Sequence, residues 1–246
     1  MTHHRRVLTV HALPGFAEPF SALTHLVGAI VFAILGWVLV KRAGAAEGRV
    51  PVLVFSLSAV TLLAVSGVTH MFMEGGTPRG ALSRIDGAAI FVLIAGTHTG
   101  VHGIFFTGSA RTWPLLCTWL LVGTAIAILT LFQGLVATPG TILIYLVFGW
   151  GTGLTGVSLV RRLGIREMVL PLLGGLTYSA GSVLLLLGQP HVILGAIGPH
   201  EIWHLAVITG LSAYWLFLYR NMAQGTLHGL PTASLHAAPD QPAGCF

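Results

Sequence analysis

Charge is what this chain has least of: seven Asp and Glu and twelve Lys and Arg make up 8% of its 246 residues. A water-soluble domain of that size covers itself with a polar shell, so a soluble globular fold is excluded. Cysteine is nearly absent as well. Cys117 lies inside an apolar run and Cys245 in the last two residues, which argues against a disulfide and leaves the redox compartment unread. There is no basic stripe, because the arginines sit in short loops between apolar runs, so no nucleic-acid partner is expected. After Arg5 and Arg6 the chain also lacks an unbroken apolar core, being interrupted by Pro14, Glu18 and Pro19, and no cleaved signal peptide is read there.

What is abundant is apolar sequence, 54% of residues. Runs long enough to cross ~30 Å of hydrocarbon at ~20 residues each occur near 21–41, 51–72, 85–106, 113–132, 140–160, 168–188 and 199–219. The expected fold is therefore an all-α integral membrane protein, a seven-transmembrane helix bundle. Short connections such as Gly75-Gly76-Thr77-Pro78 and Thr138-Pro139-Gly140 separate the runs. An N-terminal segment at 1–20, a seven-helix domain at 21–220 and a disordered tail at 221–246, rich in Gly, Pro, Ala and Ser, follow from the composition. Glycines crowd the fifth run (Gly149, Gly151, Gly153, Gly156) and the sixth (Gly174, Gly175, Gly181), where small residues predict close helix packing inside the bundle.

With seven crossings, connectivity alone places the start of run one, the end of two, the start of three, the end of six and the start of seven on one side of the membrane. That side holds Glu18, Ser21, Thr24 and His25, then Ser66 and His70, Asp86, and finally His200, Glu201 and His204. Imidazoles four apart share a helix face and reach one ion, and ionisable groups at membrane depth are costly enough to suggest a task. Three neutral imidazoles with a fourth position open are the donor set of a catalytic zinc, which makes His70, His200 and His204 the candidate metal ligands. Asp86 is placed to hold or deprotonate a metal-bound water, and Ser66 to donate a hydrogen bond to a developing oxyanion or an orienting partner. His25 and His191, single residues near helix ends, read as interfacial or hydrogen-bonded side chains. A second pair, His98 and His102, stands 12 and 16 residues beyond Asp86, ~18–24 Å deeper at ~1.5 Å per residue, and reads as a polar lining or packed pair outside the first cluster.

The motifs E-P-F-S-A-L-T-H (Glu18 to His25), S-G-V-T-H (Ser66 to His70), R-I-D-G-A-A-I-F-V-L-I-A-G-T-H-T (Arg84 to Thr99) and H-E-I-W-H (His200 to His204) resemble, in order, the signatures of the hemolysin III family. That family belongs to the progestin and adipoQ receptor superfamily, with adiponectin receptors and, more distantly, alkaline ceramidases as relatives. The resemblance implies zinc on His70, His200 and His204, with Ser66 and Asp86 around the bound water. It also implies attack of zinc-activated water on a lipid amide, with ceramide or another acyl lipid as partner, in a multi-pass protein of the bacterial inner (plasma) membrane. Bacterial-type members have also been labelled pore-forming hemolysins and linked with membrane-lipid homeostasis, so the resemblance leaves the substrate open. Ser21 stands where an Asn is usual, Thr69 where a Tyr often precedes the His, and His98 where a Tyr is common.

Two other classes compete with a zinc-dependent lipid hydrolase. One is a non-enzymatic lipid sensor, receptor or pore with structural zinc. The other is an intramembrane metalloprotease, since H-E-I-W-H fits the pattern in which Glu is the general base. Its chain order is reversed, with the I-D-G motif preceding H-E-I-W-H, and it leaves His70 idle. For orientation, Lys41, Arg42, Arg49, Arg111, Arg161, Arg162, Arg166 and Arg220 lie on one side against Arg5, Arg6, Arg79 and Arg84 on the other, which favours the first set in the cytoplasm and the N-terminus outside.

Overall fold

In the computed structural model, residues 13–44, 46–73, 75–132, 138–193 and 196–228 are described. They form α1 (Pro19–Arg42), α2 (Ala46–Thr69), α3 (Thr77–Phe105), α4 (Ser109–Leu131), α5 (Thr138–Trp150), a 3-10 turn (Gly151–Thr155), α6 (Gly156–Leu163), α7 (Val169–Leu187) and α8 (Pro199–His228). Six of these helices are long and apolar enough to span a bilayer. The remaining crossing is composite, made of α5, the 3-10 turn and α6. The fold is thus an all-α, seven-transmembrane bundle.

Two boundaries differ from the hydropathy reading. α3 opens at Thr77, with Pro78 in its first turn, because Arg79 and Arg84 lower the local hydropathy without opposing helix formation. α8 continues to His228, and residues 229–246, most of the expected tail, lie outside the described residues, as do 1–12.

The glycines of the fifth crossing correct the packing expectation. A Cβ added at Gly149, Gly153 or Gly156 would meet nothing within 4 Å, whereas at Gly174 it would strike the Tyr214 ring (2.8 Å) and at Gly181 the Ala206 methyl (2.6 Å). So the sixth-run glycines admit a neighbouring helix, while of the fifth-run four Gly151 alone would meet a neighbour, His98 at 3.5 Å, and the cluster interrupts the helix itself. The physical reason is the conformational entropy that each glycine loses in a helix, which favours a break where several cluster.

α3 is the central helix and packs on α2, α4, α5 and α8, and the circuit closes through α5–α7, α7–α8, α8–α1 and α1–α2. α4 is peripheral, with only Val122 buried among its described residues. Phe55, Phe217, Leu211 and Leu218 fill the centre, while Trp37, Leu120, Val147 and Leu172 face outward, as a bilayer solvent allows. At the end of the bundle away from Glu18, Arg42 donates to the Tyr219 carbonyl (3.0 Å) and stacks on its ring, Arg162 donates to the Phe105 carbonyl (2.7 Å), and Asn221 donates to Glu167 (2.8 Å).

Candidate metal centre

Proline and backbone pairing set the geometry at the other end. Pro19 starts α1, and the N–H groups of Ala17 and Glu18 donate to the Met71 and His70 carbonyls (3.2 and 3.0 Å), pinning the chain before α1 against the end of α2. Arg79, in the first turn of α3, reaches back and donates to the Thr69 and Phe72 carbonyls (2.6 and 3.2 Å) at and just beyond the end of α2. α8 opens on Gly198-Pro199, and Glu201 accepts the Gly198 N–H (2.9 Å), as the acidic member of a capping box does.

These anchors bring three imidazoles together. One ligand nitrogen each from His70, His200 and His204 lies within 4.8 Å of the others. His200 Nε2 is 3.5 Å from His70 Nε2 and 3.0 Å from His204 Nε2. Nitrogens at ~2.0–2.1 Å from a tetrahedral zinc stand about 3.3–3.4 Å apart, so the two measured edges bracket the zinc value. His70 and His204 are buried, but the His200 side chain is 42% exposed, which leaves one flank of the triad open. The site therefore fits a metal ion with a free position.

The outer nitrogens of two of these rings are held. Glu18 Oε2 lies 2.6 Å from His70 Nδ1, and its Oε1 accepts from Arg79 at 2.6 Å. Burial raises the Glu18 pKa, but the hydrogen bond and charge of His70, then the charges of His200 and Arg79, outweigh it and leave the carboxyl near 2. His204 Nδ1 lies 2.9 Å from His25 Nε2, which is also 3.4 Å from the His204 carbonyl, the hydrogen-bonding role expected of His25. The Glu18 contact leaves His70 Nε2 to face the shared point, as outer-shell partners of metal-bound histidines do.

Ser66, one turn before His70 on α2, is buried close to the carboxyl of Asp86 on α3. Asp86 lies within electrostatic reach of His70 and Arg79, and its buried Oδ1 has no hydrogen-bond partner. Glu201 is committed elsewhere, taking Ser21 Oγ–H at 3.2 Å on one oxygen and Gly198 N–H on the other. That is the position of a helix cap, with both oxygens of the residue that a metalloprotease would use as general base already engaged.

Sequence reasoning missed the roles of Glu18 and Arg79. The sequence puts Glu18 on the correct side without a partner and shows Arg79 only as a loop charge. The signal available was that both are ionisable groups beside apolar runs, where an unpaired charge is expensive. His98 and His102 stay apart from the triad: His98 Nδ1 pairs with Thr118 (3.1 Å), and His102 Nε2 with Thr155 (3.3 Å) while its ring stacks on Phe106.

Residues 16–215 match the haemolysin-III-related family, a span that contains every group of the centre from Glu18 to His204. The chain belongs to this family. It is 29% identical over 220 residues to the hemolysin-3 of Bacillus cereus, covering 88% of this chain and 94% of that protein. It is also 29% identical over 202 residues to a hemolysin-3 homolog of Bacillus subtilis strain 168, covering 80% and 90% respectively. As a haemolysin-III-related protein it is a multi-pass membrane protein whose three helix-end histidines converge on a possible metal site.

Proposed function

We propose that this chain is a zinc-dependent hydrolase of the bacterial plasma membrane that cleaves the amide or ester of an acyl lipid. The observation that carries the reading is the open triad: three ligand nitrogens within 4.8 Å of one another, two of their separations near the tetrahedral edge, one flank accessible, and an unpartnered Asp86 oxygen within electrostatic reach of His70. Zinc held there would supply a Lewis acid and a water acidic enough to act as nucleophile near neutral pH.

The chain's own groups account for the rest. Asp86 Oδ1, free of any donor, is available to take a proton from attacking water and return it to the leaving amine or alcohol. Ser66, close to the Asp86 carboxyl, would orient it by donating a hydrogen bond. Glu18 holds His70 in the tautomer that presents Nε2, and His25 contacts the outer nitrogen of His204. A purely structural zinc would be closed by a fourth protein ligand; the carboxylate oxygen that approaches, Glu18 Oε2 at 3.7 Å from His200 Nε2, is engaged by His70 Nδ1, which supports the hydrolase over a sensor or pore.

Below the triad lies a mostly apolar, partly open cavity lined by residues about one turn deeper than the site on three helices: Leu62 below Ser66, Ile90 below Asp86 and Val207 below His204. An acyl chain there would put its carbonyl at the metal. The test is release of fatty acid from a panel of acyl amides and esters by purified zinc-loaded protein. Full zinc occupancy with no turnover on the panel would favour the sensor.

A further inference from the structure

The cavity below the triad contains a feature that an unsubstituted acyl chain does not explain. Most of its polar lining groups are already bonded within the protein. Thr97 donates to the Leu93 carbonyl, His98 pairs with Thr118, Tyr145 donates to the Gly87 carbonyl, and Ser179 bridges Trp150 and the Gly175 carbonyl. Two are not: Tyr178 OH and Ser182 Oγ are buried with no partner. They are four residues apart on α7, so they share the face that lines the cavity. At membrane depth there is no bulk water to satisfy a hydroxyl, and a buried one without a partner is a cost that packing against apolar atoms does not remove.

Their depth is set by contacts with α8. A Cβ on Gly181 would meet Ala206, and one on Gly210 would meet the Tyr178 ring, so Ser182 is about level with Ala206 and Tyr178 with Gly210. These α8 positions are two and six residues beyond His204, roughly 3 and 9 Å at ~1.5 Å per residue. We propose that the cavity selects acyl chains carrying a hydroxyl group near the carbonyl end, received by Ser182 and Tyr178. The proposal rests on the acyl-lipid reading of the metal centre, which places the carbonyl at the triad and so aligns the first few chain carbons with this pair. Each protein hydroxyl can donate to and accept from a chain hydroxyl, whereas an unsubstituted chain leaves both unsatisfied.

The test is equilibrium binding of palmitic acid and 3-hydroxypalmitic acid, neither of which has an amide to cleave, to the zinc-loaded full-length protein in detergent. Wild type should bind the hydroxylated acid about 3–10-fold more tightly, the range a net hydrogen bond supplies. Ser182→Ala and Tyr178→Phe, singly and together, should lower that preference toward unity while leaving palmitic acid binding unchanged. Equal affinity of wild type for the two acids would mean that water satisfies the pair, and would overturn the selectivity while sparing the acyl-lipid reading. Weakening of both acids to the same degree in the variants would also overturn it, as a packing effect. Binding of neither acid would remove both the selectivity and the acyl-lipid reading.

Discussion

Glu18 and His70 are 52 residues apart in the chain, yet their side chains meet at 2.6 Å between Oε2 and Nδ1. The contact links the residue that caps α1 to the metal-facing ring at the end of α2, and Arg79 closes it from α3. Three helices are thereby tied at the rim of the centre by one carboxylate.

Glu18→Gln should keep the fold and lower metal affinity about 10–100-fold, the usual cost of losing an outer-shell partner. Competition with a chelator of known affinity measures it. Unchanged affinity would reduce Glu18 to a tether between helices.

His70→Ala, His200→Ala and His204→Ala should each abolish stoichiometric zinc, read by metal analysis of the purified variants. Full occupancy in any one removes that residue from the centre. Ligating imidazoles must be neutral, so affinity should also fall as pH drops below ~6.5. The Glu18 carboxyl, lowered from 4.5 to about 2, stays ionised below the usual carboxylate range; its contribution is full above 4.5 and is lost as pH falls from there through about 2. A loss near pH 6 therefore reports the imidazoles.

Asp86→Asn and Ser66→Ala should retain most of the metal and lose fatty-acid release, by 10²-fold or more for Asp86 if it serves as general base. Measuring zinc and turnover on the same samples separates the roles. Zinc loss in Asp86→Asn would make it a ligand instead.

Gly96→Ala should destabilise the bundle by about 1–3 kcal/mol, because its methyl would fall 2.7 Å from Ser58 Cβ in the tightly packed α2–α3 seam. Gly123→Ala, on peripheral α4 with nothing within 4 Å, should be neutral within ~0.5 kcal/mol or slightly stabilising. Equal thermal shifts in detergent would contradict this packing difference.

Loop charge favours a cytoplasmic C-terminal end of α8 and an external metal centre. A fluorescent reporter that folds only in the cytoplasm, fused to the C-terminus, should shine. Activity of a periplasm-only phosphatase at the same point would reverse the orientation, and with it the leaflet that supplies the lipid.

By itself the sequence determined the seven crossings, because spanning ~30 Å of hydrocarbon demands long apolar runs that composition reveals directly. It also placed His70, His200 and His204 at one membrane depth, since connectivity and the 1.5 Å helical rise set depth without reference to packing. Rotation about each helix axis and lateral neighbours are invisible to such reasoning. Only the tertiary structure decided that Glu201 caps α8, that Arg79 and Glu18 serve His70, and that the fifth-run glycines break a helix. The physical reason is that depth is a property of one chain segment, whereas each of those outcomes depends on which face of another segment packs against it.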